Sequence, residues 1–578
     1  LSELEEVRVD GRKLDISGTS LSEGFEAEHS SRWGLSIFET SATDACGNKK
    51  VAQQSFLRSP SYAAASTEAD VAAVASDGML VRLNQMAIDD QYRQDVDDLA
   101  TLVQSLFSTL DLNSVLPGTL VFSGQNDGND QLATATYNCS DGTVTREVTG
   151  FWVKKIGALE HDAPVLEHLT AVDDALGFGF SMEGLVLPLE IHASLDMGCG
   201  GEIVETITGE VRIGFVGADG EGAIGFDGVA PTVSVCETCL AIDFDDVVFD
   251  FNWGSLSFMD DMINDLLSNL AVAIEEPVEN LLGAQIRTLV PELLGGILGG
   301  LNLGTGFDIP EPIGMTLNIF SGMSNADFSG PAGAGHGTLG LYTQVYPSSR
   351  GDGIPQSALG AIVRNNEAPS FGPNYPVGVG ISDNTLNQIM WAIWYGGAFE
   401  LPDIVGLAPG ANVDGVALGM SAVLPPVVMP GRNGNDVEIG LGDLELTASL
   451  NLAEALGIQT PAAETIDVRL YLSAIMGASF NYDPVGHAIQ IEIDADPTIA
   501  VEIVEMSETA YEAEISQLMS SIMALVIPEL LGNVLSSFPI PEFDLGGLAG
   551  LESDANWTIG DVTIARKNDY VRMTGSLQ

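Results

Sequence analysis

The sequence predicts an α+β protein with two elongated β/α barrels in tandem, preceded by a small all-β immunoglobulin-like segment. Three observations predict it. Stretches of period-two hydrophobicity alternate with long amphipathic stretches. A set of short motifs occurs twice in the same order. Apolar residues make up 45% of the 578 residues and charged residues 18%, which is enough apolar material for a large core.

We divide the chain into four regions. Residues 1–58 are predicted to form a partial immunoglobulin-like β-sandwich, 59–76 a linker, 77–314 a first barrel, and 315–578 a second barrel. In each barrel, a strongly curved antiparallel sheet is expected to wrap around a long helix. About three domains is also what this chain length suggests.

The first region is predicted to consist of strands joined by tight turns. Residues 7–11 form a predicted hairpin turn, and the segments 34–43 and 51–57 are predicted strands. The turn at 42–48, with the sequence ATDACGN, resembles the last hairpin of bacterial immunoglobulin-like surface modules. Small residues at 59–66 then predict the linker.

The first barrel begins with an amphipathic helix. Its apolar stripe has three- and four-residue spacing and consists of Leu99, Leu102, Val103, Leu106, Phe107 and Leu110. From roughly 118 to 255 the period changes to two, as at Val211, Ile213 and Phe215, which is typical of an antiparallel meander. A second stripe, from Met259 to Ile274, predicts another helix.

The second barrel repeats this order. A helix is predicted at 384–395, strands such as 437–441 and 489–493 follow, and a long helix runs from Tyr511 to Val526.

Short motifs support the repeat. Pro-Glu-Leu-Leu-Gly begins at 291 and at 528, and Ile-Pro-Glu begins at 309 and at 540. Leu-Asn-Gln begins at 83 and at 386, and we assign both copies to the first helical segment of each half. The units are too long for a solenoid, whose repeats have roughly 20–50 residues. They are therefore predicted to be two domains of one architecture.

Such a unit can bind lipid if side chains do not fill the space between sheet and helix. Burying an acyl chain of about 16 carbons there gains roughly 10 kcal/mol before ordering costs, at about 0.8 kcal/mol per methylene. The helix stripes supply the predicted lining: Leu83, Met86, Leu99, Leu102, Leu106, Leu266, Leu270, Ile389, Met390, Ile393, Leu518 and Ile522. A plain filled core is the alternative interpretation of the same stripes.

Several segments together resemble a known family. They are Gly78–Gln85, Val235–Cys239, Val379–Asn387, Phe538–Pro541 and Trp557–Leu577. Their order and spacing are similar to the tubular lipid-binding superfamily, in particular bactericidal/permeability-increasing protein and the lipopolysaccharide-binding and lipid-transfer proteins. The resemblance covers about residues 77 to 578. It implies a boomerang of two barrels joined by a central sheet, with one lipid pocket in each barrel.

The chain departs from this family in two respects. The family's disulfide joins a cysteine of the short strand to one in the following helix, and residues 259–285 contain none. Cys239 is therefore expected to pair with Cys236 or Cys199, or to stay reduced. Relatives that engage lipopolysaccharide use a basic tip, whereas this chain is acidic, so lipopolysaccharide capture is not expected.

Charge and missing motifs exclude other classes of function. The chain carries 21 Lys+Arg against 81 Asp+Glu, a net charge of −60, which disfavours nucleic acid as a partner. Neither GxSxG nor HExxH occurs, and His336 stands alone, so no catalytic residues are expected. No metal site is expected either. Asn126–Asp130 and Asn433–Asp436 are weak Ca²⁺ candidates that turn chemistry also explains.

We therefore expect a non-catalytic protein, without cofactors, that holds phospholipid or fatty acyl chains in apolar tunnels. Its expected location is extracellular, on the cell surface or periplasmic. The chain starts at Leu1 rather than Met, so export is inferred rather than seen. The alternative is a structural or adhesive surface protein or filament subunit. Its barrels would be rigid spacers, and its N-terminal strands would mediate homo-oligomers.

Overall fold

The computed structural model describes most of the chain. The described residues are 4–9, 12–14, 33–46, 49–94, 97–108, 121–125, 134–139, 142–196, 202–226, 231–252, 279, 282–296, 306–309, 313–331, 334–404, 414–455, 465–485, 488–494, 496–507, 511–535, 538–539, 543–544, 556–557 and 559–577. Within them antiparallel strands predominate and helices are few, which confirms the coarse prediction of a protein built mainly from antiparallel sheet.

Four strands at the start form the N-terminal sheet, in the order β2-β1-β3-β4. They are β1 (Leu4–Val9), β2 (Arg12–Leu14), β3 (Gly34–Asp44) and β4 (Lys49–Arg58). The predicted strands at 34–43 and 51–57 lie within β3 and β4. The predicted linker contains a short strand, β5 (Ser61–Tyr62), which pairs with residues 362–363 and fastens this segment to the rest of the chain.

The next elements belong to the first half of the chain. They are a 3₁₀ turn (Val71–Ala73), β6 (Ala75–Asn84), α1 (Gln85–Ile88) and α2 (Leu99–Ser108). The first-half sheet follows, with β7 (Val121–Gln125), β8 (Thr134–Cys139), β9 (Gly142–Lys155), β10 (Val165–Val172), β11 (Ala175–Asp196), β12 (Glu202–Phe226) and β13 (Pro231–Phe251). Its order is β13-β12-β11-β9-β7, with β10 paired to β11 and β8 to β9. Helix α3 spans 282–296.

A central sheet joins the two halves, in the order β14-β15-β16-β6-β18-β29-β28. Its further strands are β14 (Gly306–Ile309), β15 (Met315–Ser329), β16 (His336–Pro347), β18 (Val377–Ser382), β28 (Ile559–Lys567) and β29 (Tyr570–Leu577). The short strand that pairs with β5 is β17 (Ile362–Val363).

The second half contains α4 (Asp383–Tyr395), α5 (Leu452–Ala455), α6 (Glu512–Leu535) and the second-half sheet. The sheet consists of β19 (Val416–Ala422), β20 (Val427–Pro430), β21 (Val437–Asn451), β22 (Thr465–Asp483), β23 (Ala488–Ile493), β24 (Thr498–Met506) and β25 (Phe538–Pro539). A separate two-stranded pair consists of β26 (Phe543–Asp544) and β27 (Asn556–Trp557).

The internal repeat is visible in the topology. Strands β6 and β18 are neighbours in the central sheet, and each runs directly into a helix. A hairpin flanks each of them: β15–β16 lies beside β6, and β28–β29 lies beside β18. The order strand, helix, sheet, helix, hairpin therefore occurs twice. The predicted boundary at 314/315 falls inside the central sheet, between β14 and β15.

The motifs fit this repeat unequally. Both copies of Pro-Glu-Leu-Leu-Gly lie inside helices, α3 and α6, which occupy corresponding places. The two copies of Leu-Asn-Gln are not equivalent, because Leu83 lies in strand β6 and Leu386 in helix α4. The corresponding residues are instead Asn84 and Ser382, which each end a strand and cap the following helix through a side-chain oxygen.

Helix α4 is the most enclosed element in the described part of the chain, since all 13 of its residues are buried. Its polar side chains have partners: the Asn387 amide donates to Val428 O and accepts from Val428 N, and Gln388 donates to Ala73 O. The indole N–H groups of Trp391 and Trp394 donate to backbone carbonyls. These two residues therefore belong to the core.

Helix α6 is long and apolar enough to cross a membrane between Glu512 and Gly532, by length and composition alone. Its inner side is buried in the same core cluster as the second-half sheet, through residues such as Ile515, Met519 and Met523. These contacts are typical of the core helix of a folded domain.

The N-terminal sheet packs on the outer face of the second-half sheet. Gln53 donates to the carbonyl oxygens of Tyr471 and Ala500, and Ser55 Oγ lies 2.9 Å from Ser473 Oγ. An apolar contact of Leu35 with Val427 and Met429 adds to these hydrogen bonds.

Candidate functional site

The first-half sheet contains a row of residues, called the crease here, at which the alternation of buried and exposed side chains shifts by one residue. The shift occurs in the three neighbouring strands β11, β12 and β13. In β11 the buried apolar residues are Phe178, Phe180 and Met182 before the crease and Leu185, Leu187 and Leu189 after it. Gly184 in β11 and Asp246 in β13 have positive φ angles of 66° and 55°, and Gly214 of β12 lies between them. The sheet therefore changes the face it presents at this row.

The crease interrupts the period-two alternation that Val211, Ile213 and Phe215 show in the sequence. Val211 and Ile213 are buried, but Phe215 is 39% exposed because the phase changes after Ile213. Val216 and Ala218 are the next buried residues of β12. They face the interior beside α2 and α3.

An apolar cavity of about 70 Å³ lies between these helices and the creased sheet. Strands β11, β12 and β13 form one wall, and α2 and α3 form the other. The lining residues are Phe107, Pro164, Phe180, Ser181, Met182, Val216, Ala218, Ile242, Leu282, Gln285, Ile286 and Leu289. The surface they expose to the cavity is entirely apolar. Such a space is dry and suits an alkyl group better than water.

Helix α3 is the loosest wall of the cavity. Val290 and Leu294 anchor it and are almost completely buried, at 2% and 3% exposure. Ile286 and Leu289, which line the cavity, are only half-buried. Among the described residues, the helix therefore carries apolar side chains that are only partly covered.

Helix α2 is the firmer wall. The ring of Phe107 stacks on that of Phe180, with centroids 4.3 Å apart. At the edge of the cavity Gln104 donates to Pro164 O at 2.9 Å and accepts from Leu166 N at 2.5 Å. These polar groups satisfy one another at the rim, so the cavity lining stays apolar.

The start of α2 is fixed by a buried carboxyl group. Asp98 is completely buried and accepts hydrogen bonds from Thr101 N at 2.6 Å and Asp90 N at 2.7 Å. Burial raises the pKa of Asp98 to about 6, although these hydrogen bonds oppose the shift. Asp89, beside it, binds Arg93 and accepts from Leu169 N at 2.8 Å. This cluster ties α2 to β10.

The second half has little space at the corresponding place in the described part of the chain. A gap of about 10 Å³ remains among Leu386, Ile389, Met390, Val428, Val437, Ile439, Phe480 and Ile491. Strand β22 buries every second side chain from Ile466 to Phe480 against this core. No alkyl chain fits there without displacing these side chains.

The predicted lining residues fall into five groups. Leu83, Leu99, Leu102, Ile393 and Ile522 are buried in the core and do not border the first-half cavity. Ile389 and Met390 border only the small second-half gap, and Leu518 is half-buried on α6. Met86 is 57% exposed and does not border the first-half cavity. Leu266, Leu270 and the side chain of Leu106 lie outside the described residues.

Sequence analysis missed the wall that the sheet supplies. Phe180, Met182, Val216, Ala218 and Ile242 come from strands, whereas the predicted lining was taken from helices. Their period-two spacing around the glycines of β11 and β12 was the available signal.

The structure gives the disulfide partner of Cys239, for which the sequence left three alternatives. Cys236 and Cys239 form a disulfide within β13, and Cys46 is free and exposed. Cys199 lies outside the described residues.

Other candidate sites have less support. His336 lies 3.2 Å from Ser329 Oγ across the β15–β16 hairpin, and burial lowers its pKa. Asn433 and Gly434 have positive φ angles, and Asn435 donates to Asp494, so this Ca²⁺ candidate is a turn; residues 126–130 lie outside the described residues. Among the described residues, no group of three His, Cys, Asp or Glu side chains is placed to hold a metal ion.

An open cleft of about 660 Å³ lies on the outer face of the second-half sheet. Its floor consists of small and polar side chains such as Gly419, Thr447 and Ser449. Arg469 crosses it, 2.6 Å from Glu505 and 3.6 Å from Glu445. Arg469 and Glu505 are paired with each other, and Asp467 accepts from Ser449 Oγ, so these charged groups already have partners within the protein.

Comparison with known proteins gives distant structural neighbours. No family model matches the chain, and no curated protein matches it in sequence. Among solved structures, lipopolysaccharide binding protein is similar with a TM-score of 0.36 and 13% identity, over 87% of this chain and 98% of that one. P47 of Clostridium botulinum E1 has a TM-score of 0.26 and 10% identity, over 87% of this chain and 100% of that one. P47 from Clostridium botulinum A2 has a TM-score of 0.24 and 10% identity, over 86% and 96%.

Proposed function

We propose that this chain is a non-catalytic lipid-binding protein that takes up the alkyl chain of a phospholipid or fatty acid. The proposed site is the cavity between α2, α3 and the creased first-half sheet. The observation that carries the proposal is the entirely apolar surface of this cavity, next to the half-buried Ile286 and Leu289 of α3. A ligand that covers these side chains adds the apolar contact that the protein does not supply itself.

The size of the cavity defines how binding must occur. Ligand sites usually have about 300–1,000 Å³, and this one has about 70 Å³. The alkyl chain therefore enters only if α3 moves away from the sheet, a helix shift of the kind that takes microseconds to milliseconds. Each methylene buried contributes about 0.8 kcal/mol toward that opening.

The finer architecture belongs to the same proposal. We infer that each half is a barrel of sheet and helix, that the N-terminal sheet is one face of an immunoglobulin-like sandwich, and that the protein is extracellular, on the cell surface or periplasmic. The strand–helix–sheet–helix–hairpin order found twice supports the tandem barrels. The net charge of −60 fits a strongly hydrated protein that does not work beside nucleic acid.

Uptake of a fluorescent fatty acid, 11-(dansylamino)undecanoic acid, tests this function. Ala218→Phe places a ring in the cavity and is expected to weaken binding at least tenfold. Ala241→Phe is the matched control, because Ala241 lies on the neighbouring strand and is exposed. Equal affinity of the two variants would contradict the proposed site, and a wild-type protein without any uptake would contradict the function.

A structural role is the second candidate, and one observation favours it. Phe38 and Phe56 form an edge-to-face pair, 5.5 Å between centroids, and Phe56 is 46% exposed. This apolar pair on the N-terminal sheet suits contact with a second copy of the chain. Light scattering tests it: assemblies that Phe56→Ser converts to monomers support the structural role, and a monomeric wild-type protein contradicts it.

A further inference from the structure

We propose that the Cys236–Cys239 disulfide is a site of thiol–disulfide exchange whose reduction loosens α3 from the first-half sheet. The inference deepens the proposed alkyl-chain site, because α3 is one wall of that site, and it assigns a regulation to it. The exchanging partner is a dithiol.

The disulfide closes a loop inside a long strand. Strand β13 pairs with β12 through Gly222↔Val235 and again through Gly220↔Leu240. Glu221 of β12 therefore faces the four residues from Cys236 to Cys239, and the ladder is interrupted there. A bulge of this kind has no ladder hydrogen bonds of its own, so the covalent bond is what holds it closed.

Among the described residues, strand β13 pairs with another strand on one side only. In the order of the first-half sheet, β13 is the edge strand and pairs with β12 alone. An edge strand opens more readily than an inner one because half of its backbone groups have no ladder partner. Loss of the disulfide therefore acts on a weakly held strand.

The two cysteines differ in exposure. Cys236 is exposed and Cys239 is half-buried. A thiolate from solvent therefore reaches the sulfur of Cys236 first. The hydroxyl of Thr238 lies 3.4 Å from Cys236 Sγ and can donate to the thiolate that forms there.

The exchange is balanced in sulfur, protons and electrons. The attacking thiolate forms a new S–S bond to Cys236, and the Cys236–Cys239 bond breaks with its electron pair leaving on Cys239, which takes a proton from water. The second thiol of the dithiol, as a thiolate, then attacks the dithiol's own sulfur in the mixed disulfide, and Cys236 leaves as a thiolate that takes a proton from water. The two protons that the dithiol loses go to the solvent. The dithiol is oxidised by two electrons to a cyclic disulfide, and the protein is reduced to two thiols.

The residues on either side of the disulfide loop lie where β13 packs against α3. Leu240 and Ile242, just after the loop, lie 3.7 and 3.5 Å from the position that a Cβ atom would take on Gly283 of α3. These distances are ordinary van der Waals contacts, so Leu240 and Ile242 pack directly against the start of α3. Val235, just before the loop, belongs to the same buried cluster as Leu294 of α3.

The consequence for the cavity follows from this contact. Ile242 and Ile286 line the cavity from opposite walls, one on β13 and one on α3. Freeing the bulge adds conformational freedom to β13 next to that wall. Reduction is therefore expected to raise the frequency with which α3 leaves the sheet.

Alkylation tests the exchange directly. The full chain is treated with dithiothreitol without denaturant, alkylated with iodoacetamide and analysed by peptide mapping. Labelling of Cys236 and Cys239 while the circular dichroism spectrum stays native is the expected result. Cys46→Ser serves as the control, since it removes the free exposed thiol and should leave the labelling of the pair unchanged. A pair that is labelled only after unfolding would overturn the proposal.

Hydrogen exchange tests the link to α3. Amides of 282–296 are expected to exchange at least fivefold faster in reduced protein and in the Cys236→Ser/Cys239→Ser variant than in the oxidised protein. Amides of α4 serve as the internal control and should not change. Equal exchange in α3 in both redox states would overturn the proposal.

Uptake of 11-(dansylamino)undecanoic acid separates this inference from the proposed function. Uptake at least fivefold faster after reduction supports both. Faster exchange in α3 without uptake in either state supports the redox site and contradicts the alkyl-chain site. Uptake at equal rates in both states supports the alkyl-chain site and overturns its regulation by the disulfide.

Discussion

Arg566 and Asp383 form a two-point ion pair that joins the last hairpin of the chain to the first turn of α4. The two guanidinium nitrogens lie 2.5 and 2.7 Å from the two carboxylate oxygens of Asp383, which is completely buried. Arg364 adds a third contact at 2.8 Å and also binds Asp569 at 2.5 Å. Burial raises the pKa of Asp383, and the two arginines oppose that shift. The cluster therefore fixes residues from three distant parts of the sequence.

Replacing Asp383 by Asn is expected to destabilise the protein by about 3–5 kcal/mol, because it leaves the largely buried guanidinium group of Arg566 without a carboxylate and removes one of the two carboxylates that Arg364 binds. The free energy of unfolding in urea measures the loss. Glu210→Gln is the control. It breaks an ion pair with Arg212, whose side chain is 56% exposed, and should cost far less than the loss of the buried pair. Equal losses in the two variants would contradict a special role of the buried cluster.

The pH dependence of stability should show the contribution of Asp98 at the start of α2. Its pKa is raised from 3.8 to about 6 by burial, so the folded protein binds this proton more tightly than the unfolded chain. The resulting stabilisation is present below about pH 4 and is lost as the pH rises through 6. Lowering the pH from 7 to 5 should therefore stabilise the wild-type protein relative to Asp98→Asn, by roughly 1 kcal/mol.

Urea unfolding of both proteins at pH 5, 6 and 7 measures this difference. The Asn variant keeps an oxygen that accepts from Thr101 N but has no proton to gain, so it serves as the reference for all other titrating groups. A difference between the two proteins that stays constant over this range would show that the pKa of Asp98 is not raised.

The sequence allowed the repeat to be recognised but not the full set of cavity residues. Apolar spacing of 3.6 residues is a property of one segment, so α2 and α4 could be located from the sequence itself. The crease depends on the row of Gly184, Gly214 and Asp246 in three strands that are far apart in sequence. A change of phase at such a row becomes visible only after the strand register is known.

The same limit applies to Met86, one of the residues predicted to line a tunnel. It fits an apolar pattern, but Asn84 caps α1 and sets the rotation of that short helix so that Met86 is 57% exposed. A four-residue helix has too few turns for its buried side to be deduced from spacing.

Each half carries a glycine in its Pro-Glu-Leu-Leu-Gly motif, and replacing it by alanine should raise stability. The same replacement at Gly78 in the central sheet should lower it. Gly295 of α3 and Gly532 of α6, both from Pro-Glu-Leu-Leu-Gly, have open space where a Cβ atom would stand. Replacing Gly532 by Ala is expected to stabilise the protein by roughly 0.5–1 kcal/mol, because alanine loses less backbone entropy in a helix. Gly295→Ala should act in the same direction.

Gly78→Ala is the contrasting variant. A Cβ atom on Gly78 would overlap the Thr343 side chain and come within 2.8 Å of Thr385 Oγ1, which donates to Gly78 O. We expect a loss of about 1–3 kcal/mol from this overpacking between α4 and the central sheet. Thermal unfolding of the three variants measures both effects. A stabilising Gly78→Ala would show that this contact between β6 and α4 is not close-packed.

Docking of the N-terminal sheet should depend on one side chain. Gln53 donates from Nε2 to Tyr471 O at 2.9 Å and to Ala500 O at 3.1 Å, and so joins β4 to two strands of the second-half sheet. Gln53→Ala removes both hydrogen bonds and should weaken docking by about 1–3 kcal/mol, at about 0.5–1.5 kcal/mol for each bond. Release of β4 exposes the Arg58–Ser59 bond, so trypsin should cut there at least fivefold faster.

Gln54→Ala separates docking from general loosening of β4. Gln54 is the next residue along the strand, is exposed and points to the opposite face of the sheet. Both variants lose the same amide group from the same strand, so any effect on strand propensity is shared. Faster cleavage in Gln53→Ala alone identifies the contact with Tyr471 and Ala500 as the cause. If trypsin cuts both variants equally fast, the N-terminal sheet is held to the second half mainly by the apolar contact of Leu35 with Met429.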